Sequence, residues 1–174
     1  MGHAPAAYRN GPEVRERVAA LAAYLHREQQ HQPLHNRLLL LWAAAEWPDL
    51  LPDPARKALS AEIQMKQAAD GGWTLNSLGP FGKHPHAPPA VDSNSYATGF
   101  AAFVLQQAGV LRSDAGVVRA LAWLQAHQDA KTGAWLAASM NKVYADPMPA
   151  HFMCDAATAF AVLALSDGAA THGR

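Results

Sequence analysis

Apolar and polar positions fall along this chain in two kinds of block. One kind keeps its apolar residues on a single helical stripe. Residues 13–29 are the first such block, with Val14, Val18, Leu21 and Leu25 on one side and charges on the other. Asn10-Gly11-Pro12 marks its start, since Pro12 suits a first turn whose N–H groups lack partners. Asp53-Pro54 opens the second block, which runs to about Ala69. The third centres on Val117, Ala120, Leu121 and Leu124, with Ser113 as the expected N-cap.

The other kind is apolar almost all round, the mark of a buried helix. It comprises residues 34–46, closed by Trp47-Pro48; residues 92–109, with Tyr96, Phe100, Phe103 and Val104; and residues 151–166, with Phe152, Met153, Phe160, Val162 and Leu163. Two irregular stretches separate these blocks, residues 74–91 and 136–150. The first is rich in Pro and His, and a connection of about eighteen residues in a small domain is usually functional or mobile.

The second and third striped blocks each end in a glutamine, a short turn and Gly-x-Trp: Gln67, Gly71 and Trp73, then Gln128, Gly133 and Trp135. The glycine permits a sharp reversal where a side chain would crowd the backbone. The tryptophan then folds back to bury its ring near the helix end, with the glutamine supplying polar partners. Ahead of Gln128 stand Arg119, Ala120, Trp123 and Leu124; Lys57, Ala58 and Ile63 take the corresponding places before Gln67, with Glu62 where the aromatic belongs. Tyr24, Leu25 and Gln29 echo the pattern without a Gly-x-Trp, so the first copy is degenerate. Trp73 and Trp135 lie about 60 positions apart, as do residues 96–101 and 156–161, which establishes a repeat.

The chain is therefore expected to be one domain of three units: 1–52 (degenerate), 53–110 and 111–168, with 169–174 as a tail. The expected fold is all-α, a partial (α/α) toroid of about three antiparallel hairpins. Amphipathic helices form its outer layer and apolar helices its inner one.

Composition narrows the function classes. Half of the 174 residues are hydrophobic, 16% are charged, and the formal net charge is zero. With no basic block, nucleic acid and anionic membrane surfaces are not expected partners. The single cysteine, Cys154, excludes an internal disulfide framework. The N-terminus lacks the layout of a signal peptide, and residues 38–45 are too short an apolar run to span a bilayer. A cytoplasmic location is the expectation, unless the sequence is a fragment of a longer exported chain.

The string from Arg119 to Trp135 resembles the QW motif of squalene-hopene and oxidosqualene cyclases, within the wider family of toroidal terpene cyclases and prenyltransferase β-subunits. The resemblance extends over about residues 57–165 and is closest to the C-terminal part of squalene-cyclase-like bacterial proteins. It implies that Gln67, Gly71, Trp73, Gln128, Gly133 and Trp135 are scaffold, tying each outer helix end to its neighbour. It also implies a ring of about six hairpins. Three would leave apolar inner surface open, to be covered by a second copy, a partner protein or further chain.

The chemistry that the resemblance implies is incomplete. Cyclases of this type protonate an alkene or epoxide with a strong acid held in a DxDD motif, which is absent here. The acids Asp70, Asp92, Asp129, Asp146 and Asp155 stand apart. No catalytic residue and no cofactor is expected. Tyr96, Phe100, Phe103, Phe152 and Phe160 are aromatic candidates for lining an apolar site. Asp92 and Asp155 stand at helix starts, where a carboxylate caps free N–H groups or serves a ligand. Ser139, Asn141 and Lys142 form a small polar group; Thr98 and Thr158 are expected to bond back to their own helices. His151, Cys154 and Asp155, with His84 and His86 in the long loop, are zinc-ligand types, but their spacing departs from the prenyltransferase pattern. The expected function is a cyclase-like module that binds an isoprenoid or other apolar ligand, or forms part of a larger assembly. A structural subunit packed on a partner, or an active terpene cyclase or prenyltransferase, is the alternative.

Overall fold

Prolines and short polar caps decide where the helices begin. The computed structural model describes residues 4–80, 89–138 and 148–166, and seven α-helices form among them. They are α1 (Ala6–Arg9), α2 (Pro12–Glu28), α3 (Leu34–Glu46), α4 (Asp53–Met65), α5 (Ser95–Gln107), α6 (Ala115–Ala126) and α7 (Met148–Leu165). Pro12 opens α2, and Pro54 lies in the first turn of α4. Asn94 caps α5, its Oδ1 accepting the N–H groups of Tyr96 at 2.9 Å and Ala97 at 3.3 Å. That corrects the expected start at Asp92, which is exposed and lies ahead of the helix. Asp114 rather than Ser113 caps α6, accepting from Gly116 at 2.8 Å. In both cases the side chain that reaches the free N–H groups is the residue directly preceding the helix.

The apolar helices α3, α5 and α7 lie side by side, with α5 between the others. Helix α5 is the centre of the core, buried from Ser95 to Leu105 except for a half-buried Tyr96. Gly99 sets how close α7 comes: a Cβ there would stand 2.8 Å from the Ala161 nitrogen. The amphipathic helices flank this row, α4 on α3 and α6 on α5 and α7. Arg112, in the link between α5 and α6, donates to the carbonyls of Ala164 and Leu165 at the end of α7. Helix α2 contributes no buried residue; Val14, Val18, Ala22 and Leu25 are half-buried, whereas Leu21, expected on that stripe, is exposed.

The two Gly-x-Trp turns are built alike. Trp73 and Trp135 are both buried. The Trp73 indole N–H donates to the Ile63 carbonyl at 2.8 Å, and that of Trp135 donates to the Leu124 carbonyl at 2.7 Å, so each ring closes the end of its own outer helix. The backbone N–H of each tryptophan donates across to the next inner helix, to Thr98 Oγ1 and Thr158 Oγ1, both at 3.0 Å. The two hydroxyls thus serve the turns, which corrects the expectation that Thr98 and Thr158 bond back to their own helices. Because Ile63 pairs with Leu124 in this register, Ala58 falls opposite Arg119 and Glu62 opposite Trp123. Lys57 and Ala58 are one place out of the expected match.

The first turn also reaches the next outer helix. Gln67 Nε2 donates to Gly71 O and to Gly116 O, each at 2.8 Å, while its Oε1 accepts from Arg119. Gln64 donates to Asp114 Oδ1 at 2.9 Å. Asp70 Oδ1 accepts from Gly72 N–H and the Ser93 hydroxyl, and its Oδ2 accepts the Trp123 indole N–H at 3.0 Å. Gln128, in the second turn, is exposed and donates to Gly133 O at 2.7 Å.

The long connection after Trp73 is more ordered at its ends than its composition suggests. Thr74 and Ser93 form an antiparallel bridge, and a short 3-10 turn, Asn76–Leu78, carries Leu78 into the core beside Leu75. No helix among the described residues is long and apolar enough to cross a membrane.

Candidate functional site

Placing α3, α5 and α7 side by side brings six aromatic rings into one continuous face. Helix α3 supplies His35 and Trp42, α5 supplies Tyr96, Phe100 and Phe103, and α7 supplies Phe160. Phe160 is the hub. Its ring centre lies 4.8 Å from Phe100, 5.7 Å from Tyr96, 6.0 Å from Phe103 and 6.1 Å from Trp42. The edge-on and tilted arrangements are those that aromatic quadrupoles favour. Phe100 and Phe103 are buried beneath, while His35, Trp42, Tyr96 and Phe160 remain half-buried along the accessible edge.

One polar pair interrupts this apolar surface. His35 Nε2 lies 2.8 Å from the Tyr96 hydroxyl, and the His35 ring rests 5.2 Å from that of Phe100. Burial holds the His35 imidazole below its ordinary value, outweighing the opposite effect of its hydrogen bond with Asn36. Burial likewise pushes the Tyr96 phenol up. Both groups are therefore neutral at pH 7. A neutral imidazole with its proton on Nδ1, toward Asn36 Oδ1, accepts the Tyr96 O–H at Nε2.

Of the residues singled out in the sequence, the structure brings together Tyr96, Phe100, Phe103 and Phe160. Phe152 is 64% exposed and stands apart from the cluster. Asp92 and Asp155 are exposed. Asn141 and Lys142, with Ser139, His84 and His86, lie outside the described residues. Of the zinc-ligand types, His151 is exposed, and Cys154 is half-buried against backbone, its Sγ accepting from Ala137 N–H at 3.5 Å. No three His, Cys, Asp or Glu side chains gather to hold a metal ion among the described residues.

His35 and Trp42 were not anticipated. A signal for them existed: an offset of 61 positions, one more than separates residues 96–101 from 156–161, sets His35 opposite Tyr96 and Trp42 opposite Phe103. The degenerate first unit has no tryptophan turn to anchor that alignment.

Comparison with protein-family models, with curated proteins and with solved structures finds no match for this chain.

Proposed function

We propose that this chain is a cyclase-like (α/α) toroid module that holds an isoprenoid or comparably apolar molecule against the aromatic face of its inner helices. It works without a catalytic acid of its own, alone or as part of a larger terpene-cyclase-like assembly in the cytoplasm. The supporting observation is the contribution of half-buried rings by three successive apolar helices to one surface. Flat π surfaces lined up in this way suit a hydrocarbon chain with double bonds. A cyclase or prenyltransferase reading would need a protonating acid or a diphosphate site, for which the sequence holds no motif. The test is organic extraction of the purified chain followed by mass spectrometry, with a tryptophan-fluorescence titration using a prenyl compound. Co-purified lipid or saturable quenching supports the proposal. Absence of both would refute it, and cyclised product formed from squalene would convert the module into an enzyme.

A second reading, a module that packs on a second copy or another protein, rests on α7. Phe152, Val162 and Leu163 on that helix are 64%, 49% and 43% exposed. Ala159, also exposed, occupies in α7 the place that Gly99 holds in α5, where α7 itself docks. The outer side of α7 is therefore shaped for a further inner helix. This reading predicts a mass in solution of two or more chains, reduced to one by Leu163→Lys; a monomer at all concentrations would exclude self-association.

A further inference from the structure

Among the six rings of the face, Trp42 carries a lone indole N–H donor, whereas His35 and Tyr96 are hydrogen-bonded to each other, and the chemistry of that pair selects among apolar ligands. A hydrocarbon would leave part of that capacity unused. A diphosphate would bring a negative charge to a surface whose polar pair is itself uncharged, and desolvating that charge unpaired is costly. A neutral hydroxyl suits the pair. When the Tyr96 O–H donates to His35 Nε2, at 2.8 Å, the phenol oxygen keeps lone-pair capacity at the half-buried edge of the cluster.

We infer that the face takes an apolar molecule ending in a neutral alcohol, whose hydroxyl donates to the Tyr96 oxygen while its chain lies over Phe160 and Trp42. This inference rests on the apolar-ligand reading above and names its ligand class. His35 acts as a positioning residue: its Nε2 accepts the Tyr96 O–H hydrogen bond, which leaves the phenol oxygen facing the ligand as an acceptor. Stacking on Phe100 at 5.9 Å and an edge-on contact with Phe160 at 5.7 Å fix the phenol ring in place.

The experiment compares farnesol, the hydrocarbon farnesene and farnesyl diphosphate as probes, each titrated into the purified chain with tryptophan fluorescence as readout. Farnesol is expected to bind about tenfold more tightly than farnesene, the worth of one well-placed hydrogen bond. The diphosphate should bind more weakly than farnesol. Tyr96→Phe keeps the ring and should abolish the preference for farnesol while leaving farnesene affinity unchanged. Farnesene binding as tightly as farnesol, or the diphosphate binding best, would overturn the alcohol assignment and leave the apolar-ligand reading standing. Binding of none of the three would overturn both. The wild-type comparison decides the matter even where the variant folds poorly.

Discussion

Thr98 Oγ1 accepts the backbone N–H of Trp73 at 3.0 Å in a part of the molecule where both residues are 0% exposed. One unit later, Thr158 does the same for Trp135 in a half-buried setting. The threonine ties an outer-helix turn to the inner helix that follows it. Thr98→Val preserves the shape and leaves a buried N–H unpaired, so it should lower stability by about 1–3 kcal/mol. Thr158→Val should cost less, because water can reach that site. Thr98→Ser should restore most of the loss. Denaturant unfolding of the three variants checks the order.

Gly71 and Gly133 occupy corresponding turns but are held by different constraints. Both have positive φ, +95° and +72°. A Cβ on Gly71 would also stand 2.9 Å from the Arg119 carbonyl oxygen, whereas at Gly133 the nearest atom is Gln128 Nε2 at 3.9 Å. Gly133→Ala should therefore cost about 1–2 kcal/mol, the backbone penalty alone. Gly71→Ala adds a clash between the first turn and α6 and should cost about 2–4 kcal/mol. Equal losses in a denaturation series would show that the close approach contributes nothing.

Asp70 and His35 both contribute to the expected pH dependence. Burial disfavours charge on the Asp70 carboxylate, but hydrogen bonds from Gly72, Ser93 and Trp123, together with the nearby His127, outweigh it and hold the group below its ordinary value. Its stabilising effect is present above about pH 3.8 and is lost as the pH falls through the lower folded-state value. Asp70→Asn should destabilise the chain at neutral pH and cease to matter in strong acid.

His35 has the same sign for another reason. Its folded-state value is lowered by burial, so the fold resists protonation and stability is lost as the pH drops below the ordinary 6.5. His35→Gln should flatten the decline in unfolding midpoint between about pH 7.5 and 5.5. A decline unchanged by the substitution would place its source elsewhere.

Gly99 links stability to the aromatic face. Its missing Cβ would meet the Ala161 nitrogen at 2.8 Å and the Phe160 carbonyl carbon at 3.0 Å, both backbone atoms that cannot swing away. Gly99→Ala should push α7 off α5, cost about 1–3 kcal/mol and displace Phe160. Prenyl-ligand affinity should fall with it, whereas Gly133→Ala should leave affinity intact. Melting and titration of both variants separate the two effects.

Local pattern carried much of this structure. The start of α2 at Pro12, the bounds of α3 and the burial of Trp73 and Trp135 were all legible, because each depends on neighbours within a few turns of chain. Caps were less so. Choosing Asn94 over Asp92, or Asp114 over Ser113, turns on two residues of phase in the first case and one in the second, and both members of each pair are good cap formers. The match of Lys57 to Arg119 failed for a similar reason: the second turn is one residue longer than the first, which shifts the helix register behind it.

Periodicity, glycine and proline act through the local backbone, and they suffice to specify an all-α chain of alternating amphipathic and apolar helices with tryptophan-closed turns. That Thr98 serves Trp73, that Asp70 holds Trp123, and that His35 meets Tyr96 across 61 positions of chain follow from the packing of the helices on one another. Those pairings depend on how far one helix slides along another. That slide is set by close backbone approach at residues such as Gly99, and no periodicity within a single helix encodes it.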